Sequence, residues 1–532
     1  MPVGKNRATA VRRFLAVAAV LLFPLPMADQ IDPAAGAARA AAGPHAHRAL
    51  DLALLRGVAW TAGMKWGTQI LSWASTLIVA RLLTPADYGL FGMAMVFQGF
   101  LAPIYDLGLS AAVIQRRDLT DEQIARLGGL ILLYGVAFSI LTVLLAGPIA
   151  AFYREPAVRW ILYVVAAASA IDTLQTVPRA LLARRLQFRT IAWIDGLQSL
   201  ASTLITLALA FAGWGYRALV YGVAIGAVLA TGFAVVVAPH RYAWPRRESG
   251  VGSAMAYGWH VALSRIGWYI YSNADFAIVG RVLGKVPLGA YTFGWTIATI
   301  PVDRVASLVG RVIPSVFATI QHNVAAMRRY FFGISEGLAF VVLPLSFGLA
   351  VTAEDFVLLV LGEHWRQAIE PLRLLAFYGG FRSLATVLSP VLVATGHARR
   401  DMQFTLLATL ILPPTFYVAT QWGTTGVAAA WVVGLPIVSL LPYAYTLRLL
   451  RARSTEYLKA LWPALSASLV MAAVVSLVYF VGADWPRGAR FAAEVIAGVA
   501  TYGAMVLIFH RGRIEAFRRL LSEARSAQPE EG

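Results

Sequence analysis

Residues 60–91 read WTAGMKWGTQILSWASTLIVARLLTPADYGLF, and residues 260–291 read HVALSRIGWYIYSNADFAIVGRVLGKVPLGAY. Ten of these 32 positions are identical without a gap. Ala62, Gly67, Ile70, Ser72, Ala74, Ile78, Val79, Arg81, Leu83 and Gly89 recur as Ala262, Gly267, Ile270, Ser272, Ala274, Ile278, Val279, Arg281, Leu283 and Gly289. Each copy begins with an apolar stretch, breaks at a short turn, and enters a second apolar stretch. Roughly 20 mostly apolar residues cover the ~30 Å of bilayer hydrocarbon as a helix. The pattern predicts membrane-spanning hairpins, repeated at an offset of 200 residues.

Outward from the repeat, apolar windows recur from Gly57 to Phe509. About fourteen are long enough to span: 57–80, 89–108, 127–152, 158–177, 191–213, 217–238, 256–280, 287–314, 330–352, 368–394, 403–421, 424–446, 460–482 and 489–509. Composition agrees, since 59% of residues are hydrophobic and 14% charged, too lopsided for a soluble chain of this length. The chain has no cysteine, which excludes disulfides and thiolate metal sites. A net charge of +18 is spread over short loops and not gathered in one patch, so it reports topology and not a nucleic-acid partner. Of the 45 Lys and Arg residues, about 30 fall on the side of the N-terminus. This bias predicts both termini in the cytoplasm, hence an even number of spans. Six spans separate the two copies, so the halves are expected to be parallel repeats related by an axis along the membrane normal.

These boundaries divide the chain into an extension (1–50), a first lobe (51–247), a second lobe (248–450), a closing helix pair (451–510) and a tail (511–532). Arg12-Arg13 followed by Phe14–Leu25 resembles a short export signal. Cleavage there would leave the N-terminus outside, against the charge bias, so 1–50 is expected to be a dispensable extension or a start-site artefact. Within Arg511–Arg525, Ile514, Phe517, Leu520, Leu521 and Ala524 recur at helical spacing among arginines, a pattern suited to the anionic inner leaflet. A solvated tail helix would read the same way.

Polar residues inside the spans are the candidate functional groups, because they are costly in hydrocarbon unless they face protein or water. Lys65, Gln69 and Ser72 share one face of the first span, and Arg265, Trp268, Tyr269, Ser272 and Asp275 occupy the equivalent region of the seventh. Asp303, Arg304 and Arg311 follow in the eighth, and Arg382 in the tenth. These twelve residues are the expected cavity lining. Simpler roles compete: Arg373 and Glu336 lie near span ends and can snorkel, and Asp303 can neutralise a neighbouring arginine. No phosphate-binding G-x-x-x-x-G-K-[ST], H-E-x-x-H, G-x-S-x-G or calcium-loop spacing occurs, so neither ATPase nor hydrolase chemistry is expected, nor any metal or cofactor. The loop with Glu354, Asp355, Glu363 and His364 is the one candidate for catalysis, and a weak one.

The segment Ala80–Ala94 (ARLLTPADYGLFGMA), with Asp106–Gln115 (DLGLSAAVIQ) and Asp118–Gln123 (DLTDEQ), resembles the N-terminal region of bacterial Wzx-type polysaccharide flippases. These belong to the multidrug/oligosaccharidyl-lipid/polysaccharide exporter superfamily. The resemblance implies an all-α integral membrane protein of about fourteen helices, in two six-helix lobes around a central cavity with a C-terminal pair. It implies a bacterial inner-membrane flippase, not an enzyme, that moves an oligosaccharide on an undecaprenyl diphosphate carrier for capsule, exopolysaccharide or O-antigen assembly. Membrane lipids and the polymerase or export machinery are the further partners it implies. Lys65, Arg265, Arg304 and Arg382 are suited to the pyrophosphate, and Gln69, Trp268, Tyr269 and Tyr271 to sugars. Pro103, Pro301, Pro390, Pro413, Pro414 and Pro436 are expected bending points. A drug or small-cation exporter of the same superfamily, and a membrane polymerase or ligase, are the alternatives.

Overall fold

The structure, a computed structural model, describes residues 74–106, 113, 119–185, 187–244, 251–310 and 313–509. All regular structure among them is helical. The helices are α1 (Ala74–Leu82), α2 (Pro85–Asp106), α3 (Asp121–Tyr153), α4 (Pro156–Asp172), α5 (Thr176–Arg184), α6 (Phe188–Phe211), α7 (Tyr216–Val237) and α8 (Val251–Val282). They continue as α9 (Lys285–Gly310), α10 (Ile313–Ile320), α11 (Val324–Phe356), α12 (Ile369–Ala385), α13 (Leu388–Ala394), α14 (Ala398–Ala419), α15 (Gly423–Leu449), α16 (Ser454–Val481) and α17 (Arg487–Phe509). Among the described residues, nine helical stretches are long and apolar enough to cross a membrane. One of these, Ala398–Leu449, is 52 residues long and contains α14 and α15 joined by a 3-10 turn. The chain is a multi-pass membrane protein. The expected first span lies mostly before Ala74, outside the described residues, as do the tail and the extension.

Local chemistry sets the ends of these helices. Thr84 precedes α2, with Pro85 at the first helical position and Asp87 two residues further on. The Thr84 amide and hydroxyl both donate to the Asp87 carboxylate, at 2.9 and 2.7 Å. Thr120 and Gln123 form a reciprocal capping box at the start of α3. Proline breaks some spans and not others. The peptide carbonyl four residues before Pro178 belongs to Leu174, in the 3-10 turn that parts α4 from α5. For Pro390 it belongs to Thr386, in the gap between α12 and α13. Pro413 and Pro414 sit inside a continuous α14. The tenth expected span is therefore parted into α12 and α13, and the end of the fourth runs through a 3-10 turn into α5.

The core spans both halves of the sequence. Met93 and Ala94 of α2 pack in one buried cluster with Val279, Leu288, Tyr291 and Phe293 of α8 and α9, and with Trp365, Tyr378 and Trp431. At its centre α2 and α9 cross at their first turns. A Cβ built on Gly89 would overlap the carbonyl oxygen of Lys285, and one built on Gly289 would overlap that of Pro85. The partners are themselves 200 residues apart, so the contact is reciprocal. Glycine is required at both places because backbone meets backbone. Large apolar side chains such as Leu144, Leu410, Phe480 and Val499 stay exposed around the outside, as a lipid-facing belt demands.

Between the halves, residues 238–244 fold back onto α3. The Ala243 amide donates to the Ala125 carbonyl at 3.0 Å, and the Tyr242 hydroxyl to the Leu174 carbonyl at 2.7 Å. Gly128 and Gly129 make room for His240 and the Ala243 backbone. Burial holds the His240 imidazole below the ordinary histidine range, against weaker opposing effects from Asp121 and the Ile124 backbone. A histidine with a depressed value stabilises the docked form above its ordinary titration and loses that contribution as the pH falls.

Gly89→Val and Gly289→Val should each cost about 1–3 kcal/mol or more, read as a fall in melting temperature of the detergent-solubilised protein. Gly196→Ala, where nothing lies within 4 Å, should be neutral or mildly stabilising. Acidification should loosen the docked linker and speed limited trypsin cleavage at the surface residue Arg241, and His240→Phe should remove that pH dependence.

Candidate functional site

The described members of the expected cavity lining sit mainly on α8. Trp268 is 56% exposed and Ser272 half-buried. The Tyr269 hydroxyl donates to the Val96 carbonyl of α2 at 2.8 Å and lies over Gly99. Thus Tyr269 ties the two halves together. Asp275 is fully buried. One of its oxygens accepts from the Tyr291 hydroxyl and the Trp431 indole, both at 2.7 Å, and the other has no donor among the described residues. Phe276, Trp295, Tyr378 and Phe416 close the cage through ring contacts of 4.7–5.6 Å with Tyr291, Trp431 or one another. In this conformation Asp275 touches protein on all sides. It is a packing centre of the second half and not an open wall.

Arg382, on α12, is half-buried. It lies within electrostatic reach of Tyr271, as does Asp401 of α14. The Ser389 hydroxyl donates to that Asp401 carboxylate at 2.7 Å. Tyr271 thus shares a polar neighbourhood of α8, α12, α13 and α14 with Arg382 and the Ser389–Asp401 pair, which spacing alone did not reveal. Lys65, Gln69, Ser72 and Arg311 lie outside the described residues. Arg265, Asp303 and Arg304 fall on α8 and α9, with side chains outside the description.

One end of the bundle is sealed by groups that the sequence reading did not select. The α3–α4, α8–α9 and α1–α2 turns and the α11–α12 connection meet there. Lys285 pairs with Glu155 at 3.0 Å. The Trp365 indole donates to the Ala80 carbonyl at 2.8 Å. Tyr88, Phe293 and Trp365 pack as an aromatic triad with centroids 4.6–5.4 Å apart. Arg281 lies over the Phe152 ring at 5.4 Å. Asp87 also accepts from the Tyr216 amide at 2.8 Å, which joins the α6–α7 turn to the same end. Sequence carried a hint in Lys285 and Glu155, charges at turns on a single side. Their pairing depends on the crossing of α2 with α9.

Residues 78–370, more than half of the chain, match the polysaccharide biosynthesis protein family. The chain belongs to this family. The family assignment agrees with the resemblance carried by Ala80–Gln123. Over 485 residues the chain is 25% identical to the succinoglycan biosynthesis transport protein ExoT of Rhizobium meliloti (strain 1021), covering 89% of this chain and 96% of that one. It is 23% identical to the lipopolysaccharide biosynthesis protein WzxC of Escherichia coli (strain K12), covering 75% and 84%. A membrane protein from the cps region of Klebsiella pneumoniae is 25% identical, over 75% and 83%. Among solved structures, the lipid II flippase MurJ in an inward closed conformation superposes with a TM-score of 0.70 at 15% identity, covering 85% and 99%. An inward-facing multidrug MATE transporter of the MOP superfamily gives 0.59 at 16% identity, covering 73% and 96%. At these identities the structural likeness is one of fold.

The sealed end supplies a test of motion. In this cysteine-free chain, a Glu155→Cys, Lys285→Cys pair should cross-link under oxidation. If that end must open in the working cycle, cross-linking abolishes activity in cells and reduction restores it. Full activity with complete cross-linking would remove any gating role from the Glu155–Lys285 contact.

Proposed function

We propose that the chain is a flippase that moves an oligosaccharide on an undecaprenyl diphosphate carrier across the bacterial inner membrane, for exopolysaccharide, capsule or O-antigen assembly. The observation that carries this reading is the reciprocal crossing of α2 and α9, in a chain whose family and full-length relatives belong to polysaccharide biosynthesis. A reciprocal contact at a constant sequence offset is what a twofold relation between like-oriented halves produces. On this reading residues 51–247 and 248–450 are lobes of six spans and 451–510 a further pair. Fourteen spans in all leave both termini in the cytoplasm. The sealed end is then periplasmic, and the cavity opens inward.

The chemistry of the expected lining suits this substrate. A diphosphate leaving water needs cationic donors in place of its hydration. Lys65, Arg265, Arg304, Arg311 and Arg382 supply them, with Asp303 moderating the local charge. Gln69, Ser72 and Ser272 offer hydrogen bonds to sugar hydroxyls, and the exposed Trp268 offers an aromatic face. Tyr269 and Asp275 hold the surrounding helices through the contacts already described. Opening the far end then requires release of Lys285 from Glu155 and parting of the Tyr88–Phe293–Trp365 triad, with Pro178 and Pro390 just after the α-helical breaks between α4 and α5 and between α12 and α13. Export of small cationic drugs is the weaker reading. Here the sequence relatives carry polysaccharide names, whereas the MATE likeness is one of fold.

Export of surface polysaccharide, followed alongside the amount of inserted protein, tests the cavity. The Lys65→Ala, Arg265→Ala double variant should lose most export at normal protein level. Lys65→Arg and Arg265→Lys should be milder, because the proposed role is electrostatic. Normal export by the double variant would refute the assignment of these two residues.

A further inference from the structure

At the sealed end, α11 and α12 of the second half and α16 and α17 of the closing pair share a network of acids and arginines. Arg373 pairs with Glu354 at 2.9 Å and with Glu370 at 2.6 Å. Glu363 pairs with Arg366 at 2.8 Å and Arg487 at 3.1 Å. Asp355, almost wholly buried, takes both arms of the Arg490 guanidinium, which also lies over the Tyr479 ring at 4.6 Å. The Tyr479 hydroxyl donates to Glu354 at 3.2 Å. One acid remains. Glu494, one turn beyond Arg490 on the buried stripe Arg490–Glu494–Gly498 of α17, has no exposed surface, and neither of its oxygens has a donor among the described residues. It stands one turn from the Arg490 that grips Asp355, and the Asp355 carboxylate acts on it electrostatically.

The charge count decides what Glu494 must be. Glu354, Asp355, Glu363, Glu370 and Glu494 stand against Arg366, Arg373, Arg487 and Arg490, one acid in excess. The one guanidinium near Glu494 is spent on Asp355, and the other arginines serve the remaining acids. An ionised carboxylate left buried without a cation is far costlier than its neutral form. Two carboxyl groups in contact share a proton for the same reason.

We propose that Glu494 is a proton-binding site: it carries a proton taken from solvent and donates it as a hydrogen bond to the Asp355 carboxylate, fastening α17 to α11. Asp355 then accepts from Glu494 on one flank and Arg490 on the other, and no buried charge is left over. Glu354, Asp355, Arg373, Tyr479 and Arg490 are the titratable or charged groups described around it, and each has a fixed partner in this arrangement. The site lies apart from the proposed cavity and does not depend on the transport reading.

The test uses the full-length protein purified in detergent. Infrared difference spectra should show a protonated carboxyl C=O band at neutral pH that is lost in Glu494→Gln, whose amide still donates to Asp355. The bound proton favours the docked form, so the wild-type melting temperature should fall as the pH rises and the proton leaves. The Glu494→Gln profile should lack this component. Asp355→Asn should also abolish the band, because Glu494 then ionises against the freed Arg490. Absence of the band in the wild type, its persistence in Glu494→Gln, or identical pH profiles would overturn the proposal.

Discussion

The backbone contact between α2 and α9 sets the geometry of the protein. Helices in lipid gain little from hiding apolar surface from one another, so close packing and polar contacts must hold them. At Gly89 and Gly289 the side chain is absent, and each helix rests on the first-turn carbonyl of the other. The same crossing lays the α1–α2 turn beside the α8–α9 turn. Lys285 then comes within 3.0 Å of Glu155, and Ala80 within reach of the Trp365 indole. The sealed end is thus a consequence of two glycines 200 residues apart.

Polar groups inside the bundle are satisfied in two ways, and the difference separates filler from structure. Thr142, Thr352, Thr409 and Thr415 each donate to the carbonyl four residues earlier in their own helix. Such residues make polar stripes without marking a site. Asp275 cannot satisfy itself that way. It draws donors from Tyr291 and Trp431, on two other helices, and so fixes three helices against each other. A single carboxylate with aromatic donors gives a dry, directional contact where an arginine partner would bring a second desolvation cost.

This contrast explains how much could be read in the sequence. The helices stood out because apolar length in a membrane protein is nearly a direct record of span. The offset of 200 led to the α2–α9 contact, since Gly89 and Gly289 belong to the identical set. The polar stripe on α8 was visible but not its division of labour. Spacing puts Trp268, Tyr269, Ser272 and Asp275 close together, yet tertiary packing exposes the first and buries the last. Arg490 and Glu494 were in plain view as ionisable residues one turn apart in an apolar segment. Their meaning came only from Asp355, 135 residues away in sequence from Arg490. Long-range charge pairing leaves no periodic trace.

The closing helix pair shows how an element outside the repeat is attached. Its outer face, with Ile496, Val499 and Phe509 exposed, is equally content against lipid or protein, so apolar surface cannot specify where α17 docks. Polar keys can. Arg490 grips Asp355, the Tyr502 hydroxyl donates to the Phe340 carbonyl at 2.7 Å, and Arg328 pairs with Glu456 of α16 at 2.7 Å. All three keys engage α11, a helix of the second half. A pair fastened to α11 at both ends is held to the second half of the sequence by polar contacts. If the halves rock against each other, as the proposed flippase cycle requires, they meet at the α2–α9 crossing and are joined by the linker docked on α3.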